Sequence, residues 1–134
     1  MFQRINHVGI AVGELEPAIA HYSEQLGIEV VHRERLDNDS IDAALVSVGE
    51  DRLELVAPLV DDTPLGRFLR KRGPGMHHIA YEVADIDAAL EQLRAAAMTL
   101  IDAVPREGID GSRVAFLHPS SNFGVLTEIV EPAS

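Results

Sequence analysis

Gly73-Pro74-Gly75-Met76-His77-His78-Ile79-Ala80-Tyr81-Glu82-Val83 sets the architecture of this chain. Two glycines around a proline release the backbone into an apolar run that begins with paired histidines. The same phrase opens the protein as Ile5-Asn6-His7-Val8-Gly9-Ile10-Ala11-Val12. Sliding the chain by 71 positions lays His7 on His78, Ile10 on Tyr81 and Val12 on Val83. The same offset carries Glu14-Leu15-Glu16-Pro17-Ala18 onto Asp85-Ile86-Asp87-Ala88-Ala89, and Ala44-Leu45-Val46 onto Ala115-Phe116-Leu117. After a three-residue insertion, Leu53-Glu54-Leu55-Val56-Ala57-Pro58 falls on Thr127-Glu128-Ile129-Val130-Glu131-Pro132. The chain is a duplicated module, and each copy carries one histidine on its first strand and one glutamate on its last.

Patterning within a copy gives its elements. Alternation makes Ile5–Val12 a strand, with Val8, Ile10 and Val12 on one face and His7, Gly9 and Ala11 on the other. Glu14–Leu26 is a predicted helix, with acidic residues in its first turn, Pro17 early and Gly27 as its stop. Strands follow at Ile28–Arg33, Ile41–Val48 and Arg52–Ala57, the last closed by Pro58. The unit is βαβββ. An acidic linker, Asp61-Asp62-Thr63-Pro64, leads into a short helix over Leu65–Lys71. The second copy repeats the order: a strand at Met76–Val83, a helix at Asp85–Ala97, then strands at Thr99–Val104, Arg113–Leu117 and Val125–Val130. Pro105–Gly111 and Pro119–Gly124 read as loops. The expected fold is α+β: two tandem βαβββ modules forming curved mixed sheets around a cleft, helices packed outside. The expected domain is single, with module one over about 3–60, a linker helix over about 61–74 and module two over about 75–132.

The totals bound the function classes. A chain of 134 residues is one domain's worth, and 46% hydrophobic with 25% charged residues is ordinary for a globular protein. No apolar run approaches the roughly 18 residues of a membrane helix, and the chain opens on a strand pattern instead of a signal peptide. The expected compartment is the cytoplasm. Zero cysteines exclude thiolate ligation, so any metal must be held by nitrogen and oxygen. A net charge of −11 argues against a nucleic-acid partner. Positive charge crowds into Arg67, Arg70, Lys71 and Arg72. Such a run reads either as a solvated helix end complementing the dipole or as a docking patch for a phosphorylated ligand.

The inner strand faces carry His7, Glu54, His78 and Glu128. A lone histidine on a strand is more often structural than ligating, but four residues at module-equivalent positions shift that balance. A buried glutamate needs a partner, and a divalent ion bound by two imidazoles and two carboxylates is the simplest one. Such a set suits Co²⁺, Mn²⁺, Fe²⁺, Ni²⁺ or Zn²⁺. His77 alternates to the opposite face and, like His21 and His32, reads as structural. His118 ends a strand beside the cleft.

Taken together, the two βαβββ modules and the His…Glu…His…Glu set resemble the vicinal oxygen chelate superfamily over essentially the whole chain. Within it the likeness is to the methylmalonyl-CoA epimerases. The phrases that carry it are Asn6–Val12, Glu54–Leu59, Thr63–Gly73, Gly75–Ala80, Val114–Pro119 and Gly124–Glu128. The resemblance implies one divalent ion per chain, Co²⁺ foremost, held by His7, Glu54, His78 and Glu128. It also implies epimerisation of a malonyl-type thioester by α-proton abstraction, with Glu128 as ligand and base. The expected partner is an acyl-CoA, met by Arg67, Arg70, Lys71, Arg72 and His118, and the expected assembly is a homodimer. Two departures stand out. Some epimerases carry a glutamate where this chain has Ala43, so a second catalytic acid is sought in Asp42. Alternation puts Asp42 on the helix side, and an irregular strand entrance would let it swing in. A lysine common after the His-Pro phrase is replaced by Ser120.

Three rival readings share the pattern. A glyoxalase I-like lactoylglutathione lyase uses the same enolate logic. An extradiol-type dioxygenase uses two histidines and one glutamate, against which Glu54 argues. Metal-free binding proteins of the same fold generally lose the ligand set, which is filled here.

Overall fold

The structure, a computed structural model, describes residues Met1–Ser134. Its strands are β1 (Phe2–Ala11), β2 (Glu29–Leu36), β3 (Ile41–Val48), β4 (Asp51–Pro58), β5 (Gly75–Val83), β6 (Arg106–Glu107), β7 (Arg113–Leu117) and β8 (Thr127–Glu131). Its α-helices are α1 (Leu15–Ala20), α2 (Pro64–Arg72) and α3 (Ile86–Ala95). Two compact units result, one of Val8–His77 and one of Met1–His7 with His78–Ser134.

In the first unit the strand order is β1-β4-β3-β2. Leu15, Ala18, Ile19 and Tyr22 pack against Ala44, Val46, Leu55 and Ala57 on one sheet face. The helix expected over Glu14–Leu26 is α-helical to Ala20 and widens into a π-helical turn over His21–Gln25. Gly27 then leaves at φ 68°, a left-handed conformation that glycine adopts without strain. Helix α2 starts where Thr63 caps it, its hydroxyl accepting from Gly66 N at 3.0 Å, with Pro64 in the first turn. Gly66 itself is obligatory: a Cβ there would lie 2.1 Å from the Asp61 carbonyl oxygen.

In the second unit the order is β5-β8-β7-β6. Ile86, Ala89, Leu90 and Leu93, at helical spacing on α3, pack against Val83, Ala115, Leu117 and Ile129. Asp85 caps α3 by accepting from Ala88 N. The expected strand over Thr99–Val104 is a correction. Only Leu100 bridges, to Leu117, and the edge strand forms later, at Arg106–Glu107. The cause is Asp102. Its side chain accepts from Phe116 N at 2.8 Å, while Ile101 N and Asp102 N both donate to Phe116 O. A carboxylate thus takes the place of the ladder carbonyl and turns the chain aside. Strand β8 likewise begins at Thr127, two residues later than expected, because Val125 N is captured in a turn by Asn122 O.

The repeat is one of register as well as sequence. Strands β1 and β4 run parallel with Val8↔Leu53, Gly9↔Glu54, Ile10↔Leu55 and Ala11↔Val56. Strands β5 and β8 run parallel with Ile79↔Thr127, Ala80↔Glu128, Tyr81↔Ile129 and Glu82↔Val130. Every pair is the module equivalent of its counterpart. On the other flank Leu45 opposes Glu54 and Phe116 opposes Glu128, again equivalent positions. Each glutamate is therefore flanked by a residue without a large side chain, Gly9 or Ala80, two positions after a histidine of the same face.

Candidate metal centre

Alternation carries His7 and His78 onto the strand faces that hold the glutamates, and all four residues are buried: 5%, 7%, 4% and 7% exposed for His7, Glu54, His78 and Glu128. His7 Nε2 lies 3.1 Å from His78 Nε2 and 3.0 Å from Glu128 Oε1, and His78 Nε2 lies 3.6 Å from that same oxygen. His7, Glu54 and His78 are a set of buried imidazole and carboxylate donors of the kind that can hold a metal ion.

The protonation pattern matches that use. His7 Nδ1 sits 2.7 Å from Asn6 Oδ1, and Asn6 Nδ2 donates to Glu82 Oε1 at 2.9 Å. A carbonyl oxygen can only accept, so Nδ1 carries a proton, and in the neutral ring the Nε2 lone pair faces the cluster. Glu128 Oε1 is buried without a hydrogen-bond partner, with His7 Nε2 3.0 Å away. An orphaned buried carboxylate oxygen is costly, and a cation bound there would satisfy it. Imidazole and carboxylate donors without thiolate suit a first-row divalent ion. Phe116, edge-on to His78 at 5.7 Å between centroids, supplies an apolar wall, and the Arg106 guanidinium stacks on its ring at 5.4 Å.

Comparison with known proteins places this geometry. Residues 6–116 match the model of the Glyoxalase/Bleomycin resistance protein/Dioxygenase superfamily. The ethylmalonyl-CoA/methylmalonyl-CoA epimerase of Cereibacter sphaeroides is 39% identical over 131 residues, 96% of this chain and 98% of that protein. The chain belongs to the methylmalonyl-CoA epimerase family. A solved methylmalonyl-CoA epimerase in complex with methylmalonyl-CoA and NH4+ superposes with a TM-score of 0.97 at 35% identity, covering 100% of this chain and 97% of that one. The methylmalonyl-CoA epimerase of Mycobacterium tuberculosis superposes at 0.94 with 40% identity, covering 99% and 90%. The vicinal oxygen chelate fold implied by the resemblance is the fold this chain shares with these epimerases.

Within this epimerase frame the remaining expected residues divide. Asp42 is not brought to the glutamate face. Strand β3 pairs with β4 without a register shift, so Ala43 and Leu45 share the Glu54 face and Asp42 the opposite one. There Asp42 accepts from Arg33 at 3.2 Å, and Arg33 also pairs with Glu16 of α1. Hydrogen bonds to Glu16 first, and to Asp42 second, raise the Arg33 pKa above its ordinary value. The left-handed Ser40 lies before the strand, and from Ile41 onward the β3–β4 register is regular, so Asp42 is not turned inward.

Arg67, Arg70, Lys71 and Arg72 are all exposed on α2. Arg67 pairs with Asp62 at 3.1 Å, Arg70 donates to the Asp61 carbonyl at 2.7 Å, and Arg72 lies 5.4 Å over the Phe68 ring. His118 is exposed at the end of β7, its Nδ1 accepting from Ser120 N at 3.0 Å with Ser120 Oγ 2.7 Å away. Ser120, in place of a lysine, thus pins that ring. His77 stacks edge-on against Phe68 at 4.8 Å, a packing role. Sequence reasoning missed Asn6, Glu82 and Phe116. Asn6 lay in the quoted His7 phrase, but nothing in periodicity reports its bond to a residue 76 positions away. No helix is long and apolar enough to cross a membrane.

Proposed function

We propose that this protein catalyses metal-dependent epimerisation of methylmalonyl-CoA, with His7, Glu54, His78 and Glu128 holding one divalent ion, Co²⁺ foremost among Co²⁺, Mn²⁺, Ni²⁺, Zn²⁺ and Fe²⁺. The observation that carries this reading is the buried, unpartnered Glu128 Oε1 facing two imidazole Nε2 atoms. Family membership supplies the substrate class, a CoA thioester. When bound, the ion supplies Lewis-acid stabilisation of the charge that develops on the substrate oxygens as the α-proton leaves.

This chain's own residues do the rest. His7 and His78 present Nε2 lone pairs. Glu128 takes the α-proton on its carboxylate, the base role expected of a positioned carboxylate, and inversion is completed when a proton reaches the opposite face of the planar enolate. Burial of the cluster keeps bulk water from competing for the carbanion. The exposed Arg67, Arg70, Lys71 and Arg72 gather four of the chain's 11 basic residues on one helix, a patch that attracts the phosphates of coenzyme A, with His118 as a further contact.

The test is loss of the α-hydrogen of racemic methylmalonyl-CoA to deuterated solvent. Metal-loaded wild type is expected to exchange it, and E128Q to lose about 10²–10⁴-fold, the usual worth of base catalysis. A metal-loaded wild type that exchanges nothing, yet converts the glutathione hemithioacetal of methylglyoxal, would overturn the epimerase reading in favour of a lyase.

A further inference from the structure

We propose that Asn6 and Glu82 form a positioning relay that fixes the ring tautomer of His7 and so presents its Nε2 lone pair to the metal. The inference rests on the metal reading above and adds two residues to it. Asn6 is buried, 6% exposed, and a buried amide must have both its oxygen and its nitrogen satisfied. Its oxygen meets His7 Nδ1 at 2.7 Å and its nitrogen donates to Glu82 Oε1 at 2.9 Å. The carboxylate of Glu82 accepts only, which dictates how the Asn6 amide is turned: nitrogen to Glu82, oxygen to His7. The amide in turn dictates the imidazole. Nδ1 must carry a proton, so in the neutral ring the lone pair belongs to Nε2, 3.0 Å from Glu128 Oε1.

The internal repeat marks both residues as special to this histidine. The module equivalent of Asn6 is His77, which stacks on Phe68 instead. The equivalent of Glu82 is Ala11, fully buried in the core. The two copies have diverged at both positions, and the two divergent residues bond to each other. His78 is bracketed differently, by edge-on contacts with the rings of His7 and Phe116 at 5.2 and 5.7 Å. Fixing the far nitrogen of a ligating histidine is a general device for orienting the ring and raising its basicity.

Two readouts test the relay. Nitrogen-15 NMR of chelator-treated protein with labelled histidine, assigned with His7→Gln, shows which His7 nitrogen is protonated. Competition with a chromogenic chelator gives Co²⁺ affinity without reference to turnover. Asn6→Ala is expected to release His7 from the Nδ1-protonated form and to weaken Co²⁺ binding by about 10–100-fold. Glu82→Leu should weaken binding less, and Asn6→Ala/Glu82→Leu no more than Asn6→Ala alone, because both act through one hydrogen-bonded chain. Asn6→Asp/Glu82→Gln rebuilds both bonds with the charge moved by one residue, and should restore tautomer and affinity. That double variant also decides the matter if Asn6→Ala does not fold. An unmoved tautomer in Asn6→Ala, a loss of affinity with the tautomer intact, or additive losses in the double variant would overturn the relay. Failure of the metal reading looks different: wild type would take up no Co²⁺, while the tautomer measurement on metal-free protein still decides the relay.

Discussion

Removing the charge of Glu128 should make the metal-free protein more stable and the metal-loaded protein less so. In wild type, Glu128 Oε1 is buried without a hydrogen bond, 3.0 Å from a His7 Nε2 whose partner nitrogen already donates to Asn6. Leaving such an oxygen unsatisfied costs about 1–3 kcal/mol. E128Q puts an amide in the same volume, and its N–H can donate to the His7 Nε2 lone pair. The expected gain is therefore about 1–3 kcal/mol in chelator-treated protein at pH 8, where imidazoles are ordinarily neutral. For a chain of this length that is a rise in Tm of about 4–12 °C. Saturating Co²⁺ should invert the order, because ligand binding at about 100 times Kd stabilises wild type by about 2.7 kcal/mol, while E128Q has exchanged a charged ligand for a neutral one. Calorimetry of both proteins, with chelator and with Co²⁺, reads all four states. A metal-free E128Q that melts below metal-free wild type would refute the reasoning. It would mean that a proton bridges His7 Nε2 and Glu128 Oε1, and that the pair is complete in itself.

Two further perturbations act away from the cluster. Gly66→Ala forces a Cβ to within 2.1 Å of the Asp61 carbonyl oxygen, so the turn into α2 must open. A loss of about 1–3 kcal/mol in urea unfolding is expected, as for overpacked sites, and an unchanged midpoint would show that the turn relaxes freely. Neutralising Arg67, Arg70, Lys71 and Arg72 together should raise the KM for the acyl-CoA at low salt with kcat little changed, and the difference should fade as salt rises. An unchanged KM would assign the cluster to completing the helix end.

Much of this was legible in the sequence because the information is periodic. Strands β3 and β7 lie where alternation and turn residues put them, Ile41–Val48 and Arg113–Leu117. The pairing of Glu54 and Glu128 with equivalent neighbours follows from the repeat alone. Alternation also placed Asp42 on the helix side, and only the supposition of an irregular entrance brought it inward. The regular β3–β4 ladder removes that supposition. What could not be read is non-periodic. Leu100, Ile101 and Val104 have strand composition, yet the Asp102 side chain intercepts the Phe116 N–H that would have paired a strand there. Likewise the tie from Asn6 to Glu82 joins two side chains whose meeting depends on the assembled fold.

The three inserted residues of the second module bear on how such a protein could be re-engineered. Leu45 faces Glu54 nine positions on, and Phe116 faces Glu128 twelve positions on, yet both ladders keep the same register. The whole difference in length is taken up between β7 and β8, in the turn over Pro119–Asn122 and the left-handed Phe123 and Gly124. That segment is a graft point. Its length and chemistry can be rewritten while the hydrogen-bonded ladder behind it keeps Glu128 where it is.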